Sequence, residues 1–248
     1  ISSALIYTIN ATNISSANSE IKILLDKDSI YHPGLQFKYV HEGVEKRKLT
    51  LIRGGQGTGI SPYFNSYHKI DMVFEALSWR VGDDNINFGR LPGSTDSRAF
   101  FESQNYFSKN RYDKLTGMGT NPLPRIKSYV KKIGSRNFLA IDFASYMGKT
   151  MTDIKPLLYN LNNLGLITYN SAKGTVAVNG RMYRWLGARS GRMDYDVIQF
   201  ISEPERGVKY NASLSLLNYD LSMEGVNSIV LSNAQGTKVF PDQGKLIL

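Results

Sequence analysis

The 248-residue chain has no cysteine. That absence excludes structural disulfides, thiolate metal sites, iron–sulfur clusters and cysteine nucleophiles, and it leaves the redox compartment open. Long apolar runs are missing as well: nothing approaches the ~20 residues that span a bilayer, so no membrane span is expected. The first residues do not couple a charged segment to an apolar one, as a secretory signal does. The chain starts at Ile1 and stops at the apolar run GKLIL, and it is expected to be a piece of a longer protein, with neighbouring domains among its partners. Histidine is scarce. His32, His41 and His68 include no i, i+4 ligand pair, and a metal site would have to assemble in space with Asp26, Asp28 or Asp71.

Catalytic and cofactor motifs fall equally short of what their chemistry needs. Gly54, Gly55, Gly57 and Gly59 follow a predicted strand, where a phosphate loop belongs, but Ile60 and Ser61 stand where the phosphate-holding lysine is required. Ile60 also occupies the third glycine's place in a dinucleotide fingerprint. A flexible loop is expected there. MGKT at 147–150 has a phosphate loop's ending, yet Phe143 replaces its first glycine. DDNINF from Asp83 starts like a calcium loop, but Phe88 replaces the glycine of the sharp bend and Ser94 the bidentate glutamate. No G-x-S-x-G elbow marks a serine. Asp194 and Asp196 read as solvated positions on a strand edge. Sequons begin at Asn10, Asn13 and Asn211 and matter only in a eukaryotic secretory pathway. No catalytic residue, cofactor or metal ligand is assigned, and the chain is expected not to be an enzyme.

What the chain does have is uneven charge. Its formal net charge is +9, yet residues 109–192 hold fifteen Lys or Arg against three acids, a net of +12, while the remainder holds fifteen against eighteen, a net of −3. A surplus so concentrated is the footprint of a surface that meets phosphate or another anion. The candidate contact residues are Lys127, Lys131 and Lys132 on one predicted helix, Lys149 and Lys155 around the start of a longer one, and Lys173, Arg181 and Arg184 on or beside a predicted hairpin. Tyr159, Asn160 and Asn163 are candidates to offer polar groups to bases. Against that reading, the longer helix is expected to expose one cation, Lys155, beside Asp153, Asn162 and Asn163. An acidic protein, lipopolysaccharide or phospholipid headgroups suit the same charge.

Hydropathy patterning divides the chain in three. Residues 1–96 read as antiparallel strands with Gly and Pro at the turns, only YHKIDMVFEALSW being ambiguous. Residues 97–190 read mainly as helix. SRAFFESQNYFSKNRYDKL has mixed helical spacing, PRIKSYVKKI ends at Gly134, and NFLAIDFASYM ends at Gly148. Thr152 is the expected N-cap of a helix striped by Ile154, Leu157, Leu158, Leu161 and Leu164, with Pro156 in its first turn. LITYN, SAKG and TVAV make a hairpin, and GRMYRWLG reads as a further short strand. Residues 191–248 return to β. IKILLDKDSIYHPGLQF and SIVLSNAQGTKVFPDQGKL echo each other as strand, turn and strand, which suggests stacked β-units.

In FLAIDFASYMGKTMTDIKPLLYNLNNLGLITYN, a short helix, a turn and a leucine-spaced helix end in the phrase LNNLGLI, which resembles a winged-helix module over roughly 120–187. The phrases LDKDSIYHPGLQFKY, FNSYHKIDM and NASLSLLNYDLSMEGV are similar to segments of large extracytoplasmic proteins of Gram-negative bacteria. That resemblance implies a periplasmic or outer-surface location and no particular activity. The resulting expectation is an α+β chain, with antiparallel β regions flanking a winged-helix-like three-helix module and its β-hairpin wing. Its expected role is non-enzymatic: a structural or interaction segment whose basic middle docks on an acidic protein or envelope surface. Nucleic-acid binding through the winged helix is the alternative.

Overall fold

The computed structural model describes residues 1–43, 45–55, 57–95, 98–116, 120–205, 207–232 and 237–248. They form two compact units, Ile1–Ser103 together with Ile198–Leu248, and Gln104–Val197. The first unit opens with β1 (Ser2–Ala4), β2 (Thr8–Ile9), β3 (Asn13–Leu25), β4 (Asp28–Val40), β5 (Lys48–Arg53), β6 (Tyr63–Asn65), β7 (Ile70–Val73), β8 (Ala76–Arg80), β9 (Asn85–Gly89) and β10 (Ala99–Ser103). The second holds α1 (Lys109–Asp113), α2 (Pro122–Ile133), β11 (Asn137–Leu139), α3 (Ala140–Tyr146), α4 (Met151–Asn163), β12 (Ile167–Asn170), β13 (Thr175–Val178) and α5 (Gly180–Arg189). The first unit then resumes with β14 (Gln199–Ser202), β15 (Tyr210–Ser215), β16 (Leu221–Met223), β17 (Val226–Ser232), β18 (Thr237–Val239) and β19 (Leu246–Ile247).

These elements make a strand-rich α+β protein whose paired strands are antiparallel. In the first unit the strand order is β18-β17-β14-β10-β7-β6-β4-β5-β8-β9-β15-β16-β19, with β3 on the opposite edge of β4. The β segments expected as separate domains, 1–96 and 191–248, therefore belong to one unit, apart from residues 191–197, because β10 pairs with β14 and β9 with β15. Alternation shows which face of a strand is buried and says nothing about which distant edge it meets. The expected boundary at 96 and 97 falls on residues outside those described, as do residues 233–236 of the second echo segment. The ambiguous YHKIDMVFEALSW resolves into β7 and β8.

The long strand β4 organises the core by forking. On one edge it pairs throughout with β3; on the other, Ile30 and Tyr31 pair with β6, and Leu35 to Val40 pair with β5. Between the two partners lie His32, Pro33 and Gly34. Proline has no N–H to give a ladder, so it is tolerated where the ladder is interrupted. Past the fork the two arms bury their inner faces in a common cluster. One arm contributes Met72, Phe101 and Phe200, the other Leu51, Leu77, Phe88 and Leu214. Tyr63 stacks on Phe74 at 4.2 Å between ring centroids, and Phe74 meets Phe88 at 4.9 Å.

In the second unit, α2 forms because Asn121 caps Leu123 N–H at 2.9 Å, Pro122 tolerates the first helical position, and Gly134 closes the helix at φ 69°. α4 is capped by Thr150 and not, as expected, by Thr152. Thr150 and Asp153 satisfy each other's backbone in a capping box. Moving the cap two residues back puts Pro156 in the second turn. β11 pairs with β13, and β13 with β12. Two further expectations fail. Residues 99–103 are strand β10, because Ala99 and Phe101 point into the sheet core while Phe100 is exposed, a period of two. GRMYRWLG is helix α5, with Met182 and Trp185 buried three residues apart.

Candidate anion-contact surface

The charge surplus survives division by structure. Unit Gln104–Val197 carries fifteen Lys or Arg and five acids, a net of +10, and the other unit carries fifteen and sixteen, a net of −1. Its most basic element is α2, which has no acidic residue. Leu123, Ile126 and Tyr129 are buried, so the helical period of ~100° per residue assigns the cations to the solvent side. Lys127 and Lys131 share one edge of that side. Arg125 and Lys132, seven residues apart, share the other, and all four are exposed.

The Arg125 edge meets α3. The Lys132 ammonium lies 5.4 Å from the centroid of the Tyr146 ring. Tyr146, Arg125 and Lys149 in turn line one hollow of about 180 Å³, between Pro122 and Leu157. Tyr146 thus has one cation over its ring and shares a hollow with two more, from α2 and the α3–α4 turn. Among the described residues no ion pair neutralises any of them. Lys131 and Lys132 sit in the last turn of α2, where they also complement the helix dipole. Arg125 sits in the first turn, where a cation opposes it, so helix stability does not explain that residue.

The remaining candidates divide clearly. Lys155 on α4 and Lys173 in the β12–β13 turn are exposed, and neither is among the described residues that line the hollow beside Tyr146. Arg181 is withdrawn from the surface: it is 5% exposed, with its guanidinium 6.0 Å from the Trp185 ring centroid. Arg184 is half-buried, and its Nη2 points to the Gln104 carbonyl at 3.5 Å. Both residues were expected on or beside the hairpin; they lie instead on helix α5, whose inward face takes up Arg181 with Met182 and Trp185.

α4 offers less to a nucleic acid than expected. Asn162 is buried and its Oδ1 accepts the Tyr169 N–H at 2.9 Å. Tyr159 packs on Tyr169, and Asn163 is half-buried; only Asn160 of the three proposed base readers is exposed. The N-terminus of α4 is closed by its own acid. Thr150 Oγ1 donates to Asp153 Oδ2 at 2.7 Å and the Thr150 N–H donates to the same oxygen at 3.2 Å. These bonds, from the side chain first and the backbone second, hold the Asp153 carboxyl below its ordinary range, and Lys149 adds to the effect.

Elsewhere, structural roles account for the conspicuous residues. Residues 57–60 form a packed turn, and a Cβ on Gly59 would lie 2.9 Å from Gly54 Cα, so close backbone approach explains that glycine. Gln56 of the same segment lies outside the described residues. Asn211 is buried and donates to the Ser202 carbonyl at 3.2 Å, which removes its sequon from reach in the folded protein. Among the described residues no cluster of three His, Asp or Glu side chains has metal-binding geometry. Arg125 and Tyr146 are the contact residues that sequence reasoning missed. The i, i+7 spacing of Arg125 and Lys132 was the available signal. Comparison with protein-family models, with curated proteins and with solved structures finds no match.

Proposed function

We propose that the chain is a non-enzymatic interaction segment of a larger extracytoplasmic protein, and that its basic unit docks on an acidic protein or envelope surface through α2 and α3. The observation that carries this reading is the grouping of Arg125, Lys132 and Lys149 beside Tyr146, where among the described residues none of the three forms an ion pair with a carboxylate. Exposed cations grouped on a rigid helix attract an extended anionic surface at long range and lose that attraction as salt screens it. The location rests on the resemblance of the β segments to Gram-negative extracytoplasmic proteins.

A second reading, nucleic-acid binding, is favoured by element order. The succession α2, β11, α3, α4, β12 and β13, with β11 on the edge of the hairpin, supports a winged-helix module. In that docking mode α4 enters a groove, and Lys155 and Lys173 contact phosphate. The Asp153-closed start of α4 weighs against it.

Binding of the purified protein to anionic lipid vesicles and to random duplex DNA, each over a salt series, separates the readings. Docking through α2 and α3 predicts salt-sensitive vesicle binding that falls about tenfold or more in the Arg125→Ala, Lys132→Ala, Lys149→Ala triple variant. It also predicts little change in Lys155→Ala with Lys173→Ala. Tight duplex binding lost in the second variant would instead establish the nucleic-acid reading.

A further inference from the structure

The unit Ile1–Ser103 with Ile198–Leu248 carries a separate basic hollow, built from other elements and independent of the docking surface. Strand alternation puts Leu51, Leu77, Phe88 and Leu214 in the core. It leaves Thr50, Ser78, Asn87 and Ser213 as successive cross-strand neighbours in one half-exposed row on the opposite face. Beside this row lies a hollow of about 580 Å³, within the range of about 300–1,000 Å³ usual for small-ligand sites.

Its floor and wall are fixed. Ala76 and Gly89 face each other across β8 and β9, and both are buried. Gly89 cannot be enlarged without moving backbone, because a Cβ would lie 3.1 Å from Tyr210 Cα. The wall is the turn from Arg90 to Ser94. Ser94 N–H donates to the Leu91 carbonyl at 3.1 Å, and Leu91 N–H donates to Glu75 Oε2 at 2.9 Å. The nearby carboxylate of Glu75 is thereby engaged with backbone.

Three cations from three segments line the hollow: Lys48 on β5, Arg90 in the turn and Lys209 before β15. Among the described residues no carboxylate lines it and no ion pair ties up these cations. Thr50, Ser78 and Asn87 supply hydroxyl and amide groups from the row. Tyr210, 37% exposed, and Pro92 supply apolar surface.

We infer that this hollow binds a saccharide bearing an anionic group, of the uronate class. The cations match the carboxylate, the hydroxyl and amide row matches sugar hydroxyls, and Tyr210 with Pro92 matches the C–H face of a pyranose ring. A simple inorganic anion leaves the polar row unused, and a neutral sugar leaves the cations unused.

Calorimetric titration with tetragalacturonate, neutral maltotetraose and inorganic sulfate tests this. Tetragalacturonate binds, and the other two bind at least tenfold more weakly. Arg90→Gln weakens tetragalacturonate binding about tenfold or more, the loss of one charge-assisted hydrogen bond. Ala76→Leu fills the floor without altering charge and removes binding. Arg125→Ala with Lys132→Ala leaves binding unchanged, which separates this site from the docking surface. The inference is overturned by any of three results: no binding of tetragalacturonate, equal binding of sulfate, or wild-type affinity in Arg90→Gln. Should Ala76→Leu fail to fold, the exposed-turn variant Arg90→Gln still decides.

Discussion

His32 stands at the point where β4 changes partners, and it supplies hydrogen bonds that the interrupted ladder cannot. Gly34 N–H donates to its Nδ1 at 3.1 Å, which makes Nε2 the protonated nitrogen, donating to the Ser61 carbonyl at 2.9 Å. The ring is neutral and fully buried, and burial first, then the Arg53 charge, lowers its pKa from 6.5 to about 3. The unfolded chain therefore binds one more proton than the folded one between those values. Stability from this residue is complete above pH 6.5 and falls by about 1.4 kcal/mol for each unit of acidification towards pH 3. Denaturant unfolding at stepped pH measures the slope, and in His32→Gln that component is absent whatever the variant's absolute stability. An unchanged slope would assign the acid sensitivity to other groups. Nothing in the neighbourhood of His32 in sequence discloses this role, because its partner at Ser61 arrives only when the chain has folded.

Among the elements, α4 provides the sharpest contrast between what patterning shows and what it conceals. Its leucine stripe was legible, since helix burial repeats every three or four residues. Its start was not, since Thr150 and Thr152 are both acceptable caps and only the reach to Asp153 distinguishes them. Thr150→Ala is expected to destabilise the protein by about 1 kcal/mol, while Thr152→Ala, in the exposed first turn, shifts stability by at most a few tenths. Paired thermal melts of the two variants decide between the caps. The Asp153 contribution has the opposite origin to that of His32 but a similar direction. Its folded pKa is lowered, so its stabilisation is present above the ordinary carboxylate range and is lost as pH falls through the lowered value. α2 was also legible, from its proline, its glycine and its buried stripe. α5 was not, because GRMYRWLG is short enough to satisfy either period, and two of the proposed contact cations were misplaced with it.

At the scale of the whole molecule, the basic unit is an insertion between neighbouring strands. β10 ends at Ser103 and β14 begins at Gln199, yet Ser103 N–H donates to the Ile198 carbonyl at 3.1 Å. The chain leaves and re-enters the sheet at one place. Replacing residues 104–197 with a short glycine-rich turn is therefore expected to yield a cooperatively folding β unit, whereas truncation after Ser103 is expected to leave it unfolded. Circular dichroism with thermal melting of both proteins tests this, and cooperative folding of the truncated chain would refute it. Charge segregation was readable along the chain, because the insertion is contiguous. The cluster around Tyr146 and the hollow beside Asn87 were not readable, since each gathers residues from several elements.

The insertion also imposes an order in time. A ribosome releases β9 and β10 long before β15 and β14, with the entire basic unit synthesised in between. Until those later strands emerge, the edges that β9 and β10 reserve for them are unpaired, in a sheet that already has most of its apolar residues. Such edges pair readily with other chains. The insert, which has a hydrophobic cluster of its own, is synthesised complete before those later strands, so the β unit spends its most aggregation-prone interval waiting on the synthesis of its neighbour.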